Sequence, residues 1–133
     1  MCMGKLGVLK FIVLLALGGL ITACSGNRYI TSNQLYEKIH NHEPVLVIDT
    51  RTGFEYARGH IQGAIHLPFW KAAFIDEGQL ACAGKTVVVH CAHGPRAGVA
   101  KWFLEGDRCP EIYYLWGHVQ SWKKAGLPLV KGE

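Results

Sequence analysis

The sequence is poor in charge and lacks several patterns that would have named a function at once. Charged residues make up 18% of its 133 residues. No basic stretch interleaves with aromatics, so the sequence gives no footing for nucleic-acid binding. It contains no C-x-x-C pair, which argues against a zinc site or a thioredoxin-like dithiol. It has no internal repeats and no low-complexity stretch, and so no solenoid or compositional tail. Its one long apolar segment, Phe11 to Ile21, falls short of the roughly 20 residues that a bilayer-spanning helix needs. What remains is one domain's worth of chain, half of it hydrophobic.

The start of the chain reads as an export signal. Lys5 and Lys10 supply a positive region ahead of the apolar segment. Ile21-Thr22-Ala23-Cys24 resembles the lipobox of bacterial lipoproteins. That resemblance implies a signal peptide over residues 1–23, cleavage before Cys24 and lipid on Cys24, which anchors the protein to a membrane. Ser25 follows the cysteine where an aspartate would signal inner-membrane retention, so the outer membrane is favoured if the source is Gram-negative. Residues 24–30 are then the lipidated cysteine and a tether, and residues 31–133 the folded domain on the periplasmic face. Loss of Lys5 and Lys10 lowers the formal charge from +4 to +2. Cys2 leaves with the signal, so Cys82, Cys91 and Cys109 form an odd set in an oxidising compartment. One of them is expected to stay unpaired.

Short apolar runs then alternate with helical patterns. Thr31-Ser32 can cap a helix through Leu35, Tyr36 and Ile39. Val45 to Asp49 and Thr86 to His90 are nearly all apolar, as befits strands buried on both faces. Ala64 to Leu67 and Ile112 to Leu115 are further short strands. Gly53 to Arg58, Trp70 to Asp76, Ala97 to Glu105 and Val119 to Lys124 read as helical, the last closed by Gly126 and Pro128. This alternation predicts an α/β fold with a parallel sheet covered on both faces. Sites in such sheets form at the carboxyl ends of strands, where Asp49, Cys91 and Gly117 fall.

The stretch HCAHGPRAG, His90 to Gly98, carries the chemistry. Cys91 stands between a strand end and a helix start, where backbone N–H groups and the positive helix end favour thiolate over thiol. Gly94 lets the backbone curl toward the sulfur. Pro95 suits a first helical turn, and Arg96 adds a positive charge for a bound anion. A buried structural cysteine in a turn remains the alternative on this local pattern.

Three longer stretches bear on that choice. VLVIDTRTGFEYARGHIQGAIHLP holds Asp49 and Arg51 in a D-x-R element, Glu55 and Tyr56, and Gly59-His60-Ile61 ahead of Gly63-Ala64. TVVVHCAHGPRAGVAKWFL and YYLWGHVQSWKKAGLPLVKG follow, the latter with Gly117, Trp122 and Ala125-Gly126-Leu127-Pro128. Together they resemble the single-domain rhodaneses. The resemblance implies a rhodanese-like fold, a five-stranded parallel sheet flanked by helices on both faces, and thiosulfate sulfurtransferase activity with no metal or organic cofactor. In that chemistry Cys91 accepts sulfane sulfur as a persulfide from a small sulfur-containing anion such as thiosulfate. It passes the sulfur to a thiophilic acceptor such as cyanide or a thiol. Ala92, His93, Gly94 and Ala97 then belong to the binding loop, with the backbone amides from Ala92 to Ala97 around the persulfide and Arg96 at the anion. The loop spacing is C-x4-R; the related phosphatases use C-x5-R for a larger group, so the shorter loop argues for sulfur. A non-enzymatic persulfide carrier or binding module docked to a membrane or periplasmic partner is the alternative function.

Weaker signals fill in the rim. Asp49 is expected to tie down loops and His90 to be a satisfied core residue, while His93 is either an anion contact or an idle surface residue. Arg51 and Arg58 either draw anions toward the site or pair with Glu55, and the ion pairs are the expected reading. Trp102, Trp116 and Trp122 are expected in the core, and Trp70 is the exception, near where the family's pocket wall runs. Lys123-Lys124 reads as a solvated face. His118 stands where the family usually has a second glycine, so a positive φ there would cost about 1 kcal/mol or more. Cys82 and Cys109 each precede a strand, and if those strands are neighbours a disulfide between them is within reach.

Overall fold

A computed structural model of the protein describes residues 26–132 except 77, 107 and 108. The signal segment 1–23 and Cys24 lie outside the described residues. Five strands form one sheet: β1 (Arg28–Ile30), β2 (Val45–Asp49), β3 (Ile65–His66), β4 (Thr86–His90) and β5 (Ile112–Leu115). Their order is β1-β5-β4-β2-β3 and every pairing is parallel. The helices are α1 (Ser32–His40), α2 (Gly53–Arg58), α3 (Pro95–Leu104) and α4 (His118–Lys124), with a 3₁₀ helix at Phe69–Phe74.

The strand sequences explain the two-sided burial. Side chains alternate across a strand. Leu46, Ile48, Val87, Val89 and Ile112 therefore enter one core with Ala97, Ala100 and Leu104 of α3 and Ala72 of the 3₁₀ helix. Val47, Val88 and Leu115 enter the other, against Leu35 of α1 and Trp122 of α4. Val88 and Val89 are fully buried on opposite faces, each worth about 1.5–3 kcal/mol of transfer free energy. Helix ends are fixed locally. Thr31 caps α1 and Thr52 caps α2, each in a reciprocal capping box, with Gln34 and Glu55 respectively.

Four expectations shift. Arg28–Ile30, assigned to the tether, is instead an edge strand paired to β5; three residues carry too little periodicity to be read as a strand. The helical segment at 70–76 is a 3₁₀ helix over 69–74, and α3 begins at Pro95 rather than Ala97, with proline in its first turn. Of the tryptophans only Trp122 is buried, its Nε1 donating to the Pro128 carbonyl at 2.9 Å. Trp70, Trp102 and Trp116 face outward, because α3 and the rim segments bury one side only and alanines fill the α3 contact.

Candidate active site

All five strands run the same way, so β2, β4 and β5 bring Asp49, Cys91 and Gly117 to one rim. Cys91 directly follows β4, the central strand, and is fully buried. Its thiol is the one unbridged cysteine among the described residues.

The start of α4 grips the Cys91 peptide from both sides. The Cys91 N–H donates to Nδ1 of His118 at 3.2 Å, and the Cys91 carbonyl accepts from the Val119 N–H at 3.2 Å. The chain then turns so that the Gly94 N–H donates to Sγ at 2.9 Å. Gly94 has φ 135°, a conformation for glycine, and a Cβ there would lie 3.3 Å from Nε2 of His118. Gly117 is likewise left-handed, and a Cβ on it would come within 2.6 Å of Ser121. The N–H groups of Arg96 and Ala97 open α3, where helix geometry leaves them without carbonyl partners. Pro95 has no N–H, so the expected ring of amides from Ala92 to Ala97 skips that position. Ala92 and Ala97 are buried in the loop walls and His93 is exposed.

Arg96 is engaged by a carboxylate. Its Nη1 and Nη2 donate to Oε2 and Oε1 of Glu55 at 2.6 and 3.0 Å, a bidentate fork. Glu55 is itself fixed by the Thr52 N–H at 2.9 Å and hydroxyl at 2.8 Å. Arg96 draws the Glu55 carboxyl down to about 2, burial working the other way and Thr52 helping. Glu55 and, more weakly, Cys91 raise the Arg96 guanidinium above its ordinary value. The expected pairs of Arg51 and Arg58 with Glu55 do not form. Arg51 folds back on Asp49 in a buried fork, with Nη2 to Oδ2 at 2.7 Å, and also donates to the Gly59 carbonyl. Arg58 lies over the Phe54 ring at 5.3 Å. Asp49 thus ties down neighbouring loops, as expected. Burial opposes its charge, but the Arg51 hydrogen bonds and His90 outweigh that and lower its carboxyl pKa.

Two histidines lie behind the loop. His118 is half-buried with φ 53°, so the strain anticipated for a non-glycine residue is present. Burial first, then His90 and His93, push it down to about 4, which keeps the ring neutral with Nδ1 free to accept. His90 is fully buried, and burial holds it below its ordinary value. Its Nδ1 is 3.3 Å from the Cys91 carbonyl, whereas Nε2, 3.7 Å from Asp49 Oδ2, has no hydrogen-bond partner. It is therefore only half satisfied.

Opposite this rim, Cys82 and Cys109 precede the paired strands β4 and β5 and are joined by a disulfide, with Cα atoms 5.3 Å apart. The bridge sits at the amino edge of the sheet, away from Cys91.

The sequence pattern of the rhodanese-like domain matches residues 31–125. The chain belongs to this rhodanese family. A thiosulfate sulfurtransferase of Actinobacillus pleuropneumoniae serotype 7 is 32% identical over 101 residues, 75% of this chain and 90% of that protein. An uncharacterised protein of Synechocystis sp. is 33% identical over 96 residues, and there the chain spans 52% of the other's length. Among solved structures, a rhodanese-related protein from Thermoplasma volcanium superposes with a TM-score of 0.63 at 30% identity, covering 79% of this chain and 99% of that one. The five-stranded parallel sheet with its helices is the rhodanese-like fold, and Cys91 and Arg96 stand in the loop and first turn between β4 and α3.

Sequence reading missed two contacts in this rhodanese domain. Glu55 was visible as the end of a T-x-x-E capping box, but not as the partner of Arg96, 41 residues away. His118 was visible as a departure from glycine, but not as an acceptor for the Cys91 N–H.

Proposed function

We propose that this rhodanese domain transfers sulfane sulfur from thiosulfate, or a related donor, through a persulfide on Cys91. The single observation that carries the reading is the Gly94 N–H aimed at the sulfur of a buried, unbridged cysteine, in a loop that opens a helix. A backbone donor and a helix N-terminus stabilise a thiolate there. In the reaction, Sγ attacks the outer sulfur of thiosulfate, the sulfur–sulfur bond breaks, and sulfite leaves with the bonding pair. Cyanide or a thiolate then attacks the outer sulfur of the persulfide, and Cys91 leaves as thiolate. Arg96 receives the sulfonate oxygens, sharing its guanidinium with Glu55. Lipid on Cys24 would hold the domain at the periplasmic face of a membrane, the outer one in a Gram-negative cell.

A second reading has its own support. Arg96 already has a carboxylate across its fork, which suits a persulfide carrier that takes sulfur from a protein rather than from a free anion. Thiocyanate formation from thiosulfate and cyanide by the isolated domain separates the two. Turnover that is lost in Cys91→Ser and weakened in Arg96→Ala is expected of the enzyme. Absence of turnover in a folded protein with a free Cys91 thiol favours the carrier.

A further inference from the structure

A cleft of about 390 Å³ runs between α2 and α4 beside the loop. It is lined by Ala92, the residue after Cys91, by Phe54 and Arg58 from α2, by Gln120 and Lys123 from α4, and by Leu129. Glu55 also lines it, but that carboxylate is occupied by Arg96. Arg58 and Lys123 are exposed and have no carboxylate partner among the described residues. The charge left over in the cleft is therefore positive. Arg58 stacks on Phe54 at 5.3 Å, which limits where its guanidinium can go. The volume falls in the range of small-ligand sites, roughly 300–1,000 Å³, and far exceeds what cyanide fills.

A cleft of this kind, which meets the loop at Ala92, the neighbour of Cys91, can hold the body of a molecule whose reactive end reaches the loop. We propose that it is the acceptor subsite, and that it takes a small thiol carrying carboxylate groups, with Arg58 and Lys123 receiving the carboxylates. The inference rests on the persulfide reading above. The acceptor thiolate attacks the outer sulfur of the Cys91 persulfide, a new sulfur–sulfur bond forms, the bond to Sγ breaks, and Cys91 departs as thiolate. The proton on the transferred sulfur travels with it, and no outside oxidant or reductant takes part. Thiosulfate is compact enough to be seated at Arg96 alone, so the cleft serves discharge and not loading.

The test uses the folded domain with Cys91 charged by thiosulfate or, failing that, by inorganic polysulfide, with persulfide followed by intact mass. Discharge by mercaptosuccinate is compared with discharge by 2-mercaptoethanol at equal thiolate concentration, in wild type, Arg58→Glu/Lys123→Glu and the milder Arg58→Gln/Lys123→Gln. The expected result is that wild type prefers the dicarboxylate about tenfold, as placing opposite charges in a cleft does. The preference should shrink in the glutamine pair and vanish in the glutamate pair. Equal discharge by both thiols in wild type, or an unaltered preference in the glutamate pair, would overturn it. So would a glutamate pair whose loading by thiosulfate slows as much as its discharge. No persulfide from either donor would overturn the sulfur-transfer reading itself, and this inference with it.

Discussion

The backbone N–H of Cys91 and the imidazole Nδ1 of His118 are joined by a hydrogen bond of 3.2 Å, across 27 residues of sequence. The next residue, Val119, donates back to the Cys91 carbonyl. The peptide that carries the Cys91 sulfur is thus held by the first turn of α4, and the strained φ of His118 is the conformation that turns its ring onto the loop.

His118→Gly relieves about 1 kcal/mol or more of backbone strain, but it leaves the Cys91 N–H without its acceptor, at about 1–3 kcal/mol. Thiosulfate turnover is expected to fall about tenfold in kcat/KM, the equivalent of about 1.4 kcal/mol. His118→Asn should recover most of it, since asparagine tolerates the left-handed region and offers an oxygen acceptor. A glycine variant as active as wild type would show that the bond does not position the loop.

In the proposed reaction the Glu55 carboxylate, which already holds Arg96, and the donor anion compete for one guanidinium. Glu55→Gln keeps a capping residue at the third position of α2 and removes the competing charge. Its KM for thiosulfate should drop severalfold, whereas Arg96→Ala should raise KM. Steady-state kinetics decide the matter. An increase in KM for Glu55→Gln as large as that for Arg96→Ala would mean that Glu55 orients the arginine instead of competing for it.

The Cys82–Cys109 bridge closes a separation of 27 residues, for which chain entropy suggests about 3.5 kcal/mol of stabilisation. Cys82→Ser/Cys109→Ser should lose about that much in denaturant unfolding while keeping its Cys91 chemistry, because the bridge lies at the opposite sheet edge. Denatured without reductant, the domain from Ser25 onward should titrate as one free thiol; three would contradict the bridge.

Acid should destabilise the fold in a defined window. His118 is held near 4 in the native state, against 6.5 ordinarily, and His90 is lowered too. Between those values the unfolded chain binds the proton that the native one refuses, so stability falls as pH drops from about 6.5 to about 4. The carboxyls of Glu55 and Asp49 are also lowered, so their contributions are lost in more acidic solution. Thermal unfolding of wild type and His118→Asn across this window should give a flatter profile for the variant, with His90 supplying the remaining slope. Parallel profiles would remove His118 from the account.

Much of this architecture is legible in the residues. Val45–Asp49 and Thr86–His90 are nearly all apolar, as strands buried on both faces are, and the glycine, proline and arginine after Cys91 mark a loop opening a helix. The misreadings have physical causes. Arg28–Ile30 is a strand only because β5 has a free edge to pair with. Trp102, expected in the core, faces outward because α3 packs through Ala97 and Ala100, and close packing there leaves no room for an indole. The Arg96–Glu55 fork and the His118 contact depend on tertiary approach between α2, α3 and α4, which no local pattern encodes.

The most direct test of the central claim is the intact mass of the folded domain after thiosulfate is added and removed. The account predicts a gain of one sulfur atom, mapped to Cys91, reversed by cyanide with release of thiocyanate and absent in Cys91→Ser. A mass that stays unchanged in a protein whose Cys91 thiol is free and reactive would contradict it.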